Sequence, residues 1–262
     1  MGETAHRMSM AERSWLSDRF YKLGRRFIWS LDSYFGRKSK VGDHEFFDVA
    51  EFPWVPSIEA DWGKVRAELD QVMKRASDLP NIQDISKDHL HLTRDDGWKS
   101  YFFFAFGFRM KGNCRRCPET AKLLKRMPGM KTAMFSILAP GKHLPPHRGP
   151  YKGVLRLHLG LLIPEPADKC GIRVGREIRH WQEGKIMIFD DCFEHEAWND
   201  TDKHRVVLFV DIVRPMRFPA NLYNAILTWM IALSPFVLGA AGSYRRWEKR
   251  FEAVANQDAP AA

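Results

Sequence analysis

At 262 residues with 45% apolar content, the chain is long enough to bury the core of one generous domain with extensions. Four cysteines, Cys114, Cys117, Cys170 and Cys192, are too few to build a scaffold of this size from disulfides, and no cleavable signal peptide opens the sequence, so a cytosol-facing protein is expected. Forty-one Lys and Arg against 32 Asp and Glu leave a charge of +9. That field attracts phosphate-rich partners, but no basic and aromatic stacking motif accompanies it, so anionic lipid is expected and nucleic acid is not.

Residues 1–44 form a region of their own. Leu16, Phe20, Leu23, Phe27, Leu31 and Tyr34 recur at steps of three or four, which predicts one apolar helical stripe. Arg19, Lys22, Arg25, Arg26, Arg37, Lys38 and Lys40 surround it. Such a helix either lies on an anionic membrane or packs on the core with a solvated basic face.

Residues 45–220 read as the main domain, with a helix around Ile58 to Ala76 followed by strand-like segments. Thr132–Leu138, Gly153–Ile163, Gly171–Val174, Lys185–Phe189 and Arg205–Val213 are short, rich in Val, Ile, Leu and Phe, and separated by Pro, Gly and Asp clusters. This spacing predicts a β-sandwich or jelly roll rather than βαβ units. Cys114 and Cys117 form a lone C-x-x-C without the second pair that a structural zinc would want; half a zinc site, a redox pair and an inert pair are the three readings.

Residues 221–246 contain the uncharged run AILTWMIALSPFVLGAAG, flanked by Arg214 and Arg217 before it and by Arg245, Arg246 and Lys249 after it. A membrane crossing, a re-entrant or interfacial hairpin broken at Pro235, and a buried terminal helix all fit its length. Residues 247–262 read as a tail.

The strand Gly153–Ile163 places Leu155, Leu157, Leu159 and Leu161 on one face and Arg156 and His158 on the other. Turned inward, that Arg and His need an acceptor, and a bound carboxylate would serve both; turned outward, they are solvated. His147 lies in PGKHLPPHRGP before this strand, and His195 in FDDCFEHEAWND after the strand KIMIF. Two histidines at the ends of neighbouring strands can build a metal site in the mouth of a sandwich. Arg205 follows His195 by ten residues, and in a hairpin return of that length its fork can face the same cavity and take a carboxylate. His143 is expected in a loop, because Pro145 and Pro146 forbid a helical pair with His147.

From DDGWKSYFFF at Asp95, through HRGPYKGVLRLHLGLLIP, to CGIRVGREIRHWQEGKIMIFDDCFEHEAWNDTDKHRVVLFVDIVRP, the chain resembles the aspartyl/asparaginyl β-hydroxylase family of Fe(II)- and 2-oxoglutarate-dependent oxygenases. The resemblance implies a mainly β, double-stranded β-helix (jelly-roll) core with flanking helices and a hydrophobic C-terminal segment. It implies His147 and His195 as iron ligands, Arg205 as the clamp on the distal carboxylate of 2-oxoglutarate, and Trp98, Ser136, Arg156 and His158 as cosubstrate contacts. Gly149 stands where most of the wider class carry a third, carboxylate ligand, a lack that the family shares. Asp191 is the candidate acceptor that orients an iron-bound water, or else a turn residue in an FDD corner.

The family divides into hydroxylases of Asp or Asn in proteins and bacterial enzymes acting on acyl chains of membrane lipids. The basic N-terminal helix and the apolar C-terminal run favour the lipid branch. The expectation is a dioxygenase that uses O2 to 2-hydroxylate the ester-linked acyl chain of ornithine lipid, with lipid A next. It would work at the cytoplasmic face of the bacterial inner membrane. A peptide Asp/Asn hydroxylase and a non-catalytic lipid-binding protein are the alternatives.

Overall fold

Alternation of apolar and polar residues at period two builds the centre of the molecule. The computed structural model describes residues 30–257. Its strands are β1 (Phe46–Phe47), β2 (Trp98–Ala105), β3 (Phe108–Arg109), β4 (Met130–Leu138), β5 (Lys142–His147), β6 (Val154–Leu162), β7 (Cys170–Val174), β8 (Glu177–His180), β9 (Ile186–Phe189), β10 (His195–Asn199) and β11 (Arg205–Val213). They form a seven-stranded sheet in the order β1-β9-β6-β11-β4-β2-β3 and a four-stranded sheet in the order β5-β10-β7-β8. Every pairing between strands is antiparallel. From β4 to β11 the chain passes back and forth between the sheets, which is the expected double-stranded β-helix.

The helices are α1 (residues 30–38), α2 (Val55–Glu59), α3 (Trp62–Met73), α4 (Ile82–Ile85), α5 (Lys111–Arg116), α6 (Pro118–Leu124), α7 (Ala220–Ala232) and α8 (Pro235–Gln257). The large sheet turns Leu155, Leu157, Leu159 and Leu161 of β6, with Val206, Leu208 and Val210 of β11, into one core with Val65 and Leu69 of α3 and Leu124 of α6. Each fully buried leucine there is worth roughly 1.5–3 kcal/mol. A second core lies between the sheets, where Met134, Val207 and Phe209 meet Leu144, Ile172 and Ala197. The outer leucine face therefore belongs to the helices, and Arg156, His158, Arg205 and Asp211 point into the space between the sheets.

The five predicted strands are present within two residues of their expected ends. The other six strands, β1, β2, β3, β5, β8 and β10, were not among those expected. β5 contains Pro145 and Pro146, and it tolerates them because it is the edge of the small sheet and its register with β10 shifts between the His147–His195 and Leu144–Ala197 pairs, leaving both prolines outside the ladder. His143 is accordingly a strand residue rather than a loop residue. His195 and Arg205 are not joined by a hairpin: β10 belongs to the small sheet and β11 to the large one. The corner between them is held by Asn199, whose amide donates to the carbonyls of Leu138 (3.2 Å), Ala139 (3.0 Å) and Lys203 (2.8 Å).

Cys114 and Cys117 are free thiols buried in the first core, and burial pushes the Cys117 thiol up to about 12, so the pair packs rather than reacts. Of the N-terminal stripe, Leu31 and Tyr34 pack with Phe35 onto Tyr151, Val154, Met216 and Ala220. Leu16, Phe20, Leu23 and Phe27, with Arg19, Lys22, Arg25 and Arg26, lie outside the described residues.

The apolar run is interrupted where Pro235 was expected to break it: α7 ends at Ala232 and α8 begins at Pro235, with a bend of 50° between them. α8 runs through positions 246 and 247 without interruption and is tied to the domain. Tyr244, 1% exposed, accepts hydrogen bonds from the Phe102 amide (2.9 Å) and the Asn113 side chain (2.7 Å), while the Trp247 indole donates to the Asp78 carbonyl (3.2 Å). Among the described residues no single helix is long and apolar enough to cross a membrane.

Candidate metal centre

The register of β5 with β10 sets His147 directly opposite His195, with ring centroids 4.1 Å apart. His147 Nδ1 lies 2.8 Å from the Pro145 carbonyl, and His195 Nδ1 lies 3.0 Å from the Phe193 carbonyl. A carbonyl can only accept, so each Nδ1 carries the proton and each Nε2 keeps its lone pair. Burial, reinforced by the neighbouring His195, lowers His147 to about 3. Burial, reinforced by Arg156, lowers His195 to about 4. Two neutral imidazoles with Nε2 free are the donor set that a divalent transition metal takes.

Beside them, the carboxylate of Asp191 fills the space that a Cβ on Gly149 would need, and the Gly149 amide donates to the Asp191 carbonyl at 2.7 Å. Arg156 fixes that carboxylate through Nη2 at 2.8 Å and reaches Asp211 through Nε at 3.0 Å, with its guanidinium 4.3 Å from the centre of the Phe209 ring. Arg156 is thus held between two carboxylates of the protein itself.

A second group lies deeper. Arg205 is 2% exposed, and no carboxylate among the described residues is within ion-pair reach of it. Its guanidinium lies 4.4 Å from the centre of the Trp181 ring, Nη1 reaches the Ser136 carbonyl only at 3.4 Å, and Nε has no partner. Burial lowers it to about 10. The Trp181 indole donates to His158 Nδ1 at 3.2 Å, so the His158 proton sits on Nε2, which is buried and unpartnered. Burial, with Arg205 and Arg156 nearby, holds His158 neutral. Phe189 connects the two groups, its ring 5.0 Å from His158 and 6.1 Å from His195. Trp98 and Ser136 share a hydrogen bond of 3.0 Å from the indole to the hydroxyl.

Asp190, Asp191 and Cys192 bring their ligand atoms within 4.8 Å of one another. They do not form a cation cage, because the carboxylates already have cations of the protein. Asp190 pairs with Arg214 and with Lys152 (2.9 Å), and Asp191 pairs with Arg156.

Sequence reasoning missed Trp181, Asp211 and the Asp190–Arg214–Lys152 network. Asp211 had a signal, since it is the acidic residue in the apolar strand RVVLFVDIV and shares a face with Arg205 by period two. Trp181 had none, because it follows β8 and reaches His158 only through the fold.

Residues 59–215 match the family model described as aspartyl/asparaginyl beta-hydroxylase. The chain belongs to that family. One family relative, a Rhizobium tropici protein named ornithine lipid ester-linked acyl 2-hydroxylase, is 51% identical over 83% of this chain and 77% of its own length. The human aspartyl/asparaginyl beta-hydroxylase is 36% identical over 63% of this chain but only 22% of that longer protein. Among solved structures, a Pseudomonas putida prolyl-4-hydroxylase is similar at 15% identity, covering 61% of this chain and 98% of its own, with a TM-score of 0.40.

Proposed function

We propose that this hydroxylase-family chain is an Fe(II)- and 2-oxoglutarate-dependent dioxygenase. Its reaction would add a 2-hydroxyl to an acyl chain of a bacterial membrane lipid, the ester-linked chain of ornithine lipid first and lipid A next. The observation that carries the cosubstrate is the pair of orphaned donors, Arg205 Nε and His158 Nε2, both buried. Leaving such groups unpaired costs about 1–3 kcal/mol each, more when charged, so these two donors suit an anion that arrives later. A carboxylate answers both donors, and the planar fork of Arg205 suits it. The lipid substrate is supported by the 51% identity to a relative named for it.

Within this reading, His147 and His195 hold the metal through Nε2, and the carbonyls of Pro145 and Phe193 keep each ring in the ligating tautomer. When bound there, iron and 2-oxoglutarate supply with O2 the oxidising power to hydroxylate an unactivated C–H bond, as 2-oxoglutarate is decarboxylated to succinate. Arg205 and His158 orient the far carboxylate. Arg156 clamps Oδ2 of Asp191, and Oδ1, which takes a long contact of 3.9 Å from the Cys192 thiol, would keep a lone pair to orient a water beside the two histidines. The buried walls, Phe189, Phe209 and Trp181 among them, keep other water away. We place the reaction at the cytoplasmic face of the bacterial inner membrane.

The test is mass spectrometry of total lipids from a bacterium that makes ornithine lipid, expressing this chain or its His147→Ala, His195→Ala variant. Gain of one oxygen on an acyl chain with the intact histidines alone supports the reading. Unchanged lipids, with hydroxylated Asp or Asn in a peptide, would transfer the chemistry to a protein substrate. Absence of any 2-oxoglutarate decarboxylation, even uncoupled, would leave a non-catalytic lipid-binding protein.

A further inference from the structure

Helix α7 is built inside out for a helix in water. Its buried positions are Ala220, Asn224 and Thr228, while Leu222, Tyr223, Ile226, Trp229 and Met230 are each about half exposed or more, up to 64% at Trp229. Leu233 at its end and Phe218 just before it, 78% exposed, extend the same face. The spacing at 222, 226, 229, 230 and 233 makes one helical stripe, and no charged residue occurs between Arg217 and Arg245. A water-soluble surface seldom carries so large a contiguous apolar patch without something to cover it.

The polar side is fully used. Asn224 donates to the Gly153 carbonyl at 2.8 Å and accepts from the Tyr151 hydroxyl, and the Thr228 hydroxyl donates to the Asn224 carbonyl at 2.7 Å. Tyr151 and Gly153 lie in the loop that leaves His147, so α7 is bonded to the segment between the metal-ligand strand β5 and the strand β6 that carries Arg156. A basic rim stands beside the patch. The bridge of Ser39 with Met216, and the hydrogen bond of the Arg217 amide to the Lys38 carbonyl at 2.9 Å, bring exposed Arg37, Lys40 and Arg217 to the Phe218 end.

We infer that α7 is an interfacial anchor, lying in the plane of an anionic lipid leaflet with Leu222, Ile226, Trp229, Met230 and Phe218 among the acyl chains and Arg37, Lys40 and Arg217 at the phosphates. A crossing is not what this geometry builds. α7 and the adjoining part of α8 are together long and apolar enough for a broken span, but they are bent by 50°, and α8 is held on the domain through Tyr244 and Trp247. The anchor deepens the lipid-substrate reading and rests on it for its catalytic consequence, because it brings the mouth beside His147 to the surface where acyl chains lie.

The experiment co-sediments the full chain with vesicles of phosphatidylglycerol and phosphatidylethanolamine in equal parts, comparing wild type with Ile226→Glu/Trp229→Glu and Arg217→Glu. The apolar pair should lower partitioning about tenfold or more, and the charge change should lower it at low salt and have little effect at high salt. With iron and 2-oxoglutarate present, turnover of ornithine lipid should fall in vesicles and persist in detergent for the Ile226→Glu/Trp229→Glu protein, which also shows that it is folded. Three results would overturn the anchor: wild type that does not sediment with vesicles, variants that sediment as well as wild type, or binding lost only on deleting residues 1–29. Vesicle binding without any lipid oxidation would leave the anchor standing and sink the lipid-hydroxylase reading.

Discussion

The carboxylate of Asp191 occupies the volume that a side chain on Gly149 would fill. The position two residues after His147 is therefore closed to any third ligand, because a neighbouring strand end has already sent an acid into that place, and Arg156 holds it there at 2.8 Å.

Gly149→Ala should force the Asp191 carboxylate away from Arg156, cost about 1–3 kcal/mol of stability as an overpacked site, and lower 2-oxoglutarate turnover. Gly149→Asp should do no better, since its Cβ meets the same carboxylate. Adding Asp191→Ala to Gly149→Ala should recover most of the lost stability, which thermal unfolding of the four proteins of the cycle measures. An unaltered melting temperature for Gly149→Ala would contradict the crowding.

Arg205 is a buried cation waiting for its partner. Without 2-oxoglutarate, Arg205→Met should be at least as stable as wild type, because it removes an unpaired charge that burial has already pulled down to about 10. With saturating 2-oxoglutarate the wild type should gain thermal stability and the variant should not. The loss of a charged hydrogen bond worth about 1.5–3 kcal/mol predicts a KM for 2-oxoglutarate raised roughly ten- to a hundredfold. Arg205→Lys should recover little of this, since an ammonium lacks the planar fork. A variant that binds the cosubstrate as wild type does would remove Arg205 from the site.

The metal-free protein should lose stability in mild acid. His147 and His195 resist protonation in the fold down to about 3 and about 4, whereas in the unfolded chain they take up protons near 6.5. Between those limits the unfolded state binds more protons, so stability falls as pH falls below about 6.5 and is unaffected by these groups above about 7.5. Each ring contributes at most about 1.4 kcal/mol per pH unit, and the two are not additive in one site. Urea midpoints of wild type and His147→Gln/His195→Gln, compared from about pH 7.5 to 5, should show the flatter profile in the variant; parallel profiles would count against the neutral pair.

Asp190→Asn should destabilise by about 3–5 kcal/mol, because Arg214, fully buried, keeps its charge without the acid that neutralises it, while Lys152 retains Asp43 at 2.7 Å. Metal stoichiometry in the folded variant should stay that of wild type. Loss of the metal in a protein of unchanged stability would instead make Asp190 a ligand.

Local order was legible where it depends on near neighbours. The alternation of Leu155, Leu157, Leu159 and Leu161 with Arg156 and His158 announced a strand with two unlike faces, and the segments around His147 and His195 carried the family's marks. β5 was not legible, because Pro145 and Pro146 argue against a strand unless the strand is known to be an edge. The apolar run of α7 left its side open, since such a run reads alike whether it faces a core or a bilayer, and only the burial of Asn224 and Thr228 shows which side is turned to the protein.

By itself the sequence determined the jelly-roll class, the two histidines and the inventory of charged residues placed on otherwise apolar strands. Tertiary structure alone decided which face of β6 is the interior, since that depends on α3 covering the leucines and on a second sheet closing over Arg156 and His158. It alone decided that Arg156 would be bound by Asp191 and Asp211 while Arg205 would be left for a ligand. The reason is physical: periodicity along a strand sets which residues share a face, but whether a buried charge finds a partner depends on groups brought from distant parts of the chain.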